Sequence, residues 1–506
     1  MDRKVHRISE RHMSTPRRAF IMSSIEQYLS LAINITVVAA MARLLTPDAI
    51  GHAVTGIGIG AIALSLREFV TPEFLIQRPQ IEEKDLRTSF TMLFVLTVLI
   101  TVGILIISNE IAQFYDSPEL PLFLFLIMMS AFADVVSQPI VATLRRNMAF
   151  GVLAKIRSAA LLVSASSTIL LGFLGFGYIS YAWATLAGAI TLAGLSAFVS
   201  PHSLVLICRP SLESWRTVAA FGRFKGASQA VDRIYETVPQ LILGKIISMS
   251  SVGLYNRANT LCGIPDRIVM SAFYAMAFPA LAASVRGGGN IKKAYLNTLS
   301  YLSGLYWPGV LLIALTATPI VDLILGPQWG DAILLVRLLS LAAVFWFAVV
   351  VTNPLLLALG HNRDAFLSGF LCRCLALVLL CGASTYGITA MAASQFISLP
   401  AQMLISLYFA RKHLGFTFAE LMAAILPSVV VTFFSLMGPL AFLAFNGWNL
   451  QMNFLHFGLM LLTAAAGWLP GVIVANHPFL TEIRLILRTL SNAAPWLRRH
   501  FPALRA

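Results

Sequence analysis

Apolar runs long enough to cross a bilayer alternate with short polar breaks along nearly the whole chain. A helical crossing needs about 20 apolar residues. By that measure about fourteen spans are predicted, at 19–42, 49–67, 89–108, 120–142, 151–173, 176–199, 220–246, 252–282, 294–320, 332–358, 365–386, 388–410, 420–444 and 454–475. The predicted fold class is therefore an all-α membrane protein. One stretch breaks the pattern. Between Phe221 and Asn259 the chain carries Arg223, Lys225, Asp232, Arg233 and Glu236, whereas its neighbours are nearly free of charge. Lys225, Gln229, Asp232, Glu236 and Gln240 recur at helical spacing and share one narrow face. Such a helix either lies on the membrane surface or is buried with its polar stripe facing a water-filled cavity.

The same spacing returns near the N-terminus, and that favours the cavity. Ser23, Gln27, Ser30 and Asn34 each precede Lys225, Gln229, Asp232 and Glu236 by 202 residues, and the same offset carries Arg43 onto Lys245 and Gly51 onto Gly253. Further on, Ser137-Gln138-Pro139 is echoed by Thr352-Asn353-Pro354, and Asn147-Met148-Ala149-Phe150 by Arg363-Asp364-Ala365-Phe366. The order of the matches is kept, so the chain reads as two homologous halves with the charge concentrated in the second.

Composition agrees with the spans. Of 506 residues, 58% are hydrophobic and 11% charged, and the mean hydropathy is +0.80; soluble domains carry about 25% charged residues. The net charge of +14 does not point to nucleic acid, because most Lys and Arg flank apolar segments, where they set topology and meet anionic lipid headgroups. They appear in the tail 1–18, around 78–87, at Arg145-Arg146, from Arg209 to Arg216, from Arg286 to Lys293, at Arg363, at Arg411-Lys412 and from Arg484 onward. The intervening turns are poor in them, with Arg43 and Lys245 as exceptions. The positive-inside rule then places both termini in the cytoplasm. Segment 479–505 is amphipathic and basic and is expected on the inner leaflet. The five cysteines form no metal-ligand pattern and read as ordinary buried thiols. No nucleotide-binding P-loop occurs, so no ATP-driven mechanism is expected.

Ionisable side chains inside spans are costly and mark function by default. Besides the cluster of the seventh segment these are Glu26, Arg67, Glu68, Asp134, Arg257, Asp266 and Arg267. Arg and Lys bind phosphate through charge-assisted hydrogen bonds, so Lys225, Arg233 and Arg257 are expected to hold a phosphate-bearing cargo. Arg223 and Arg267 are weaker candidates nearer the cytoplasm. Asp232 and Glu236, one turn apart, are expected either to bind a coupling Na⁺ or H⁺ or to form salt bridges with Lys225 or Arg233. No other cofactor and no catalytic residue is expected.

ARLLTPDAIG at 42–51, LREFVTPEFLIQR at 66–78, the central FGRFKGASQ and VGLYNRANTLCGIPDRIV at 252–269 resemble the polysaccharide-transporter family of flippases. The resemblance is to the Wzx-type, WzxC-like branch, within the multidrug/oligosaccharidyl-lipid/polysaccharide superfamily. Where that family often has LRDFG, this chain has Leu66-Arg67-Glu68-Phe69-Val70. The resemblance implies two pseudo-symmetric six-helix lobes, 19–199 and 220–410. Two further helices at 420–475 and basic cytoplasmic tails at 1–18 and 476–506 complete the expected layout. It also implies ion-driven export of undecaprenyl-diphosphate-linked oligosaccharide across a bacterial inner membrane, alongside a polysaccharide polymerase and export machinery. Two rival readings remain. A cation-coupled multidrug exporter calls for an acidic or aromatic cavity, and a membrane glycosyltransferase or polymerase calls for paired carboxylates supported by a sizeable external loop.

Overall fold

The computed structural model describes residues 16–77, 82–200, 209–269, 289–448 and 453–484, without the side chains of 16–24, 77, 221, 224, 225 and 228. The described residues form helices joined by turns. In order the main helices are α1 (Pro16–Leu44), α2 (Pro47–Ser65), α3 (Glu83–Phe114), α4 (Leu120–Arg146), α5 (Phe150–Phe173), α6 (Ser180–Val199), α7 (Trp215–Ile246) and α8 (Met249–Cys262). They continue with α9 (Ile291–Leu315), α10 (Ala332–Ala343), α11 (Phe347–Ala358), α12 (Asn362–Ser384), α13 (Gln395–Leu414), α14 (Phe418–Phe445) and α15 (Phe454–Val474).

Among the described residues, twelve helical segments are long and apolar enough to cross a membrane. The two other predicted spans are the polar ones. α7 has 32 residues, ample length for a crossing, but its charges keep it outside the apolar set. The predicted span 252–282 is described only to residue 269. The predicted tail 1–18 falls outside the described residues except for its last three, and the stretch 479–505 is described only to residue 484.

The chain divides into two compact units, Met1–Asn256 with Ile324–Gln328 and Ser384–Ile388, and Arg257–Leu323 with Trp329–Ala383 and Thr389–Ala506. In the first unit α4 is the central element, packed against α2, α3, α5 and α6, while α1 lies on α5. Its core gathers Phe123, Leu124, Ile127, Tyr178 and Ala182. The sequence repeat counts α7 with the second half; in the structure it belongs to the first unit, packed on α2 and on the turn that follows it. The linker into α7 is tied to the start of α3. Ser214 Oγ donates to buried Asp85 at 2.7 Å, and Arg87 donates to the carbonyls of Arg209 and Pro210 at 3.3 and 3.2 Å.

The second unit packs α9 against α10, α11 and α14, around Tyr295, Leu299, Trp307, Phe347, Val351 and Ile425. Between α10 and α11 the chain tightens into a 3-10 turn at Val344–Trp346, and the indole of Trp307 donates to the Val344 carbonyl at 2.8 Å. At the end of α15, His477 enters a polar knot. It lies 3.2 Å from Ser300 Oγ and 3.1 Å from Ser428 Oγ, and its ring stacks on Phe479.

Candidate functional site

The site in the first unit begins where α2 ends. Pro72 has no N–H to donate and disfavours helical backbone at Thr71, which is extended, and the chain tightens beforehand into a 3-10 turn over Leu66–Val70. α7 lies directly on this turn. A Cβ at Gly222 would sit 2.0 Å from the Phe69 carbonyl oxygen, and one at Gly226 would sit 2.5 Å from the Phe69 ring. Two glycines four residues apart thus let the α7 backbone press on the turn, which sets the position of Arg67. That is the physical content of the FGRFKGASQ and LREFV motifs: each is the other's packing surface.

Behind the turn is a cavity of about 360 Å³. Arg67 and Glu68 reach it from the turn, Glu73 from just beyond, Asp134, Gln138 and Arg145 from α4, and Gln229 and Arg233 from α7. Three guanidinium groups therefore face three carboxylates. Two of the arginines have visible partners: Arg145 pairs with Glu73 at 3.6 Å, and Arg233 with Glu236 at 2.9 Å. Arg67 differs. It is 9% exposed, and its Nε has no hydrogen-bond partner among the described residues. The charges acting on it are Asp134 and then Glu68. A buried donor left unsatisfied costs about 1–3 kcal/mol, which an entering acceptor relieves. A planar guanidinium in such a place suits a phosphate oxygen.

The residues singled out in the sequence are distributed as follows. Arg233 lines the cavity, together with Gln229 from the same polar face. Glu236 is exposed and held by Arg233 at 2.9 Å, and Asp232 is half-buried. Of the two alternatives for this acidic pair, the Arg233 salt bridge is the contact that Glu236 makes. Arg223 and Arg267 are exposed, and Arg257 is buried at 6% exposure at the start of the second unit. The side chain of Lys225 lies outside the described residues. Among the described residues, no group of three or more His, Cys, Asp or Glu side chains could hold a metal ion.

The cavity also recruits residues that the spacing of α7 could not indicate. Arg67, Glu68 and Asp134 stand out in sequence only as charges within apolar runs, and Arg145 as a loop charge. Their convergence depends on how α2, α4 and α7 pack. The one available signal was the Arg67-Glu68 pair interrupting the end of an apolar span. Glu26, another charge within a span, is instead paired with Arg157 at 3.8 Å.

Teichuronic acid biosynthesis protein TuaB of Bacillus subtilis is 21% identical over 303 residues, 58% of this chain and 60% of that protein. Lipopolysaccharide biosynthesis protein WzxC of Escherichia coli is 20% identical over 64% of this chain and 65% of its own length. Succinoglycan biosynthesis transport protein ExoT of Rhizobium meliloti is 22% identical over 67% and 68%. The chain thus spans roughly three fifths to two thirds of the length of the curated relatives it matches. Among solved structures, the lipid II flippase MurJ in an inward closed conformation superposes with a TM-score of 0.64 at 14% identity, covering 90% of this chain and 97% of that one. This likeness shows the fold. Residues 40–334, more than half of the chain, match the family described as "Polysaccharide biosynthesis protein", and the chain belongs to that family.

Proposed function

We propose that this protein is a flippase that moves undecaprenyl-diphosphate-linked oligosaccharide repeat units from the cytoplasmic to the periplasmic leaflet of a bacterial inner membrane. The exported units would feed lipopolysaccharide, capsule or exopolysaccharide synthesis. The observation that carries this reading is the arginine-lined cavity of the first unit, in which the buried Arg67 Nε lacks a partner among the described residues. A diphosphate is the one strongly anionic group of such a cargo, and Arg67, Arg145 and Arg233 are the groups suited to hold it. Lys225 and Arg257, with Arg223 and Arg267 nearer the cytoplasmic side, are proposed as further contacts along its path. The names of TuaB, WzxC and ExoT support a polysaccharide cargo, and that of ExoT supports transport. Three arginines among the cavity's lining residues favour an anionic group over a cationic drug only where, as at Arg67, a guanidinium donor is left open to a ligand.

Both termini are proposed to be cytoplasmic. Asp232 and Glu236 are proposed to link transport to Na⁺ or H⁺, with Arg233 releasing Glu236 as the ion binds. The polymerase that consumes the exported unit is the proposed downstream partner. Deleting the gene and analysing the undecaprenyl-linked sugars tests the reading. Repeat units should accumulate, complete and unpolymerised, on the inner leaflet, and their composition would identify the sugar. Unchanged pools and unchanged polymer would refute it.

A further inference from the structure

We infer that Asp134 is the counter-anion of the empty cavity: it holds the charge of Arg67 until an incoming diphosphate takes its place, and it then takes up a proton. This rests on the diphosphate reading above and adds to it the residue that resets the site.

Two of the cavity's three arginines are already engaged. Arg145 has Glu73 and Arg233 has Glu236. Arg67 is the deeply buried arginine of the cavity, and Asp134 is the first of the two carboxylates whose charge acts on it. The other, Glu68, is the next residue on the same turn, and neighbours in sequence on a helical turn do not face each other. Asp134 comes from a different helix, in the middle of α4, and lines the same cavity. Glu73 and Arg145 also face the cavity, as do Gln229 and Arg233 from α7, while α3 contributes Leu93 and α5 and α6 contribute no lining residue. The charged groups around Asp134 are thus Arg67, Glu68, Glu73, Arg145 and Arg233.

An arginine at membrane depth is costly to leave alone, and a nearby carboxylate lowers that cost while the cargo is absent. With the cargo absent, Asp134 fills that role. With a diphosphate on Arg67, an ionised Asp134 faces like charge in a site of low dielectric constant, which favours its neutral form. The balance is simple: one proton passes from water to the Asp134 carboxylate, Arg67 stays charged throughout, and no bond to the cargo forms or breaks. When the diphosphate leaves, Asp134 loses that proton and its charge again faces that of Arg67 across the cavity. Anion binding and proton uptake are then linked, so each strengthens the other.

Binding of a short-chain diphosphate esterified at both ends tests this, because its two charges do not change between mildly acidic and mildly alkaline buffer. The protein is held in lipid nanodiscs and binding is followed by calorimetry. The unmodified protein should bind more tightly as the pH falls. Asp134→Asn should bind about ten-fold tighter at neutral pH, as for about 1.4 kcal/mol, and lose the pH dependence; Asp134→Ser should do the same if the asparagine variant proves unstable. Arg67→Ala should abolish the tight binding. If the unmodified protein binds the diester with no pH dependence, or if the Asp134 variants bind no tighter and keep the parental slope, the counter-anion role is overturned. Absence of any binding by the unmodified protein would instead overturn the diphosphate reading itself, and this inference with it.

Discussion

Gly51 and Gly253 meet backbone to backbone where α2 crosses the start of α8. A Cβ on Gly51 would lie 1.9 Å from the Met249 carbonyl oxygen, and one on Gly253 would lie 2.0 Å from that of Pro47. The contact is reciprocal, and both partners obey the offset of the sequence repeat, with Pro47 answering to Met249 and Gly51 to Gly253. Small residues at helix crossings allow this approach in membranes, where packing and weak polar contacts drive association. Gly51→Ala and Gly253→Ala should therefore each destabilise the protein by about 1–3 kcal/mol, the usual cost of overpacking. Thermal unfolding in detergent measures it. A melting temperature equal to that of the parent would mean that the crossing yields without cost.

The contact of α7 with the Phe69 turn predicts a contrast between two glycines. Gly226→Ala collides with the Phe69 ring, which a second substitution can remove, whereas Gly222→Ala collides with a backbone carbonyl, which none can. Phe69→Ala should accordingly restore much of the stability lost in Gly226→Ala and little of that lost in Gly222→Ala. A double-mutant cycle reads the difference as a coupling energy. Equal coupling for both glycines would contradict the described packing.

His477 predicts acid sensitivity. Burial among Ser300, Gly304 and Ser428 pushes its pKa from 6.5 down to about 4. The folded state thus prefers the neutral imidazole. Its stabilising contribution is complete above pH 6.5 and is lost as the pH falls from there towards 4, where the unfolded chain binds a proton and the native one does not. The shift corresponds to a loss of about 3 kcal/mol. Melting temperatures across this range should fall for the parent and fall less steeply for His477→Gln. Parallel curves would mean that the knot tolerates charge.

Topology is tested by single cysteines in a cysteine-free background. A cysteine at Glu119, exposed in the turn between α3 and α4, should react with an impermeant thiol reagent from outside, and one at Asn290, exposed before α9, should not. Ser117 in the same turn is a poor probe, because it is buried and bonded to the Tyr178 hydroxyl at 2.9 Å. Reversal at either probe would overturn the proposed orientation.

The long apolar runs of the fold were legible in sequence because crossing a bilayer imposes length and composition on each helix separately. Gly51 and Gly253 were legible as a matched pair of small residues, because two helices that cross backbone to backbone must both be small there. Lys245, an exception to the charge pattern, was not legible: its ammonium caps α3, donating to the Phe114 carbonyl at 2.6 Å. The cavity was half legible. Arg233 and Gln229 share a face of one helix, so periodicity finds them. Arg67 and Asp134 come from separate helices, and no local pattern reports that a 3-10 turn presses one towards the other. His477 and its partners Ser300 and Ser428 lie 177 and 49 residues apart, beyond any helical period.

The central claim is that Arg67 helps to carry the diphosphate of a lipid-linked sugar across the membrane. Its most direct measurement is flipping of a fluorescent undecaprenyl-diphosphate-linked oligosaccharide in proteoliposomes, comparing the parent with Arg67→Ala at matched insertion. A charge-assisted hydrogen bond of about 1.5–3 kcal/mol corresponds to a loss of roughly ten-fold or more. The parent should therefore expose the labelled headgroup to an external quencher at least ten times faster than the variant. Flipping by Arg67→Ala at the parental rate, or no flipping by the parent above protein-free vesicles, would contradict the claim.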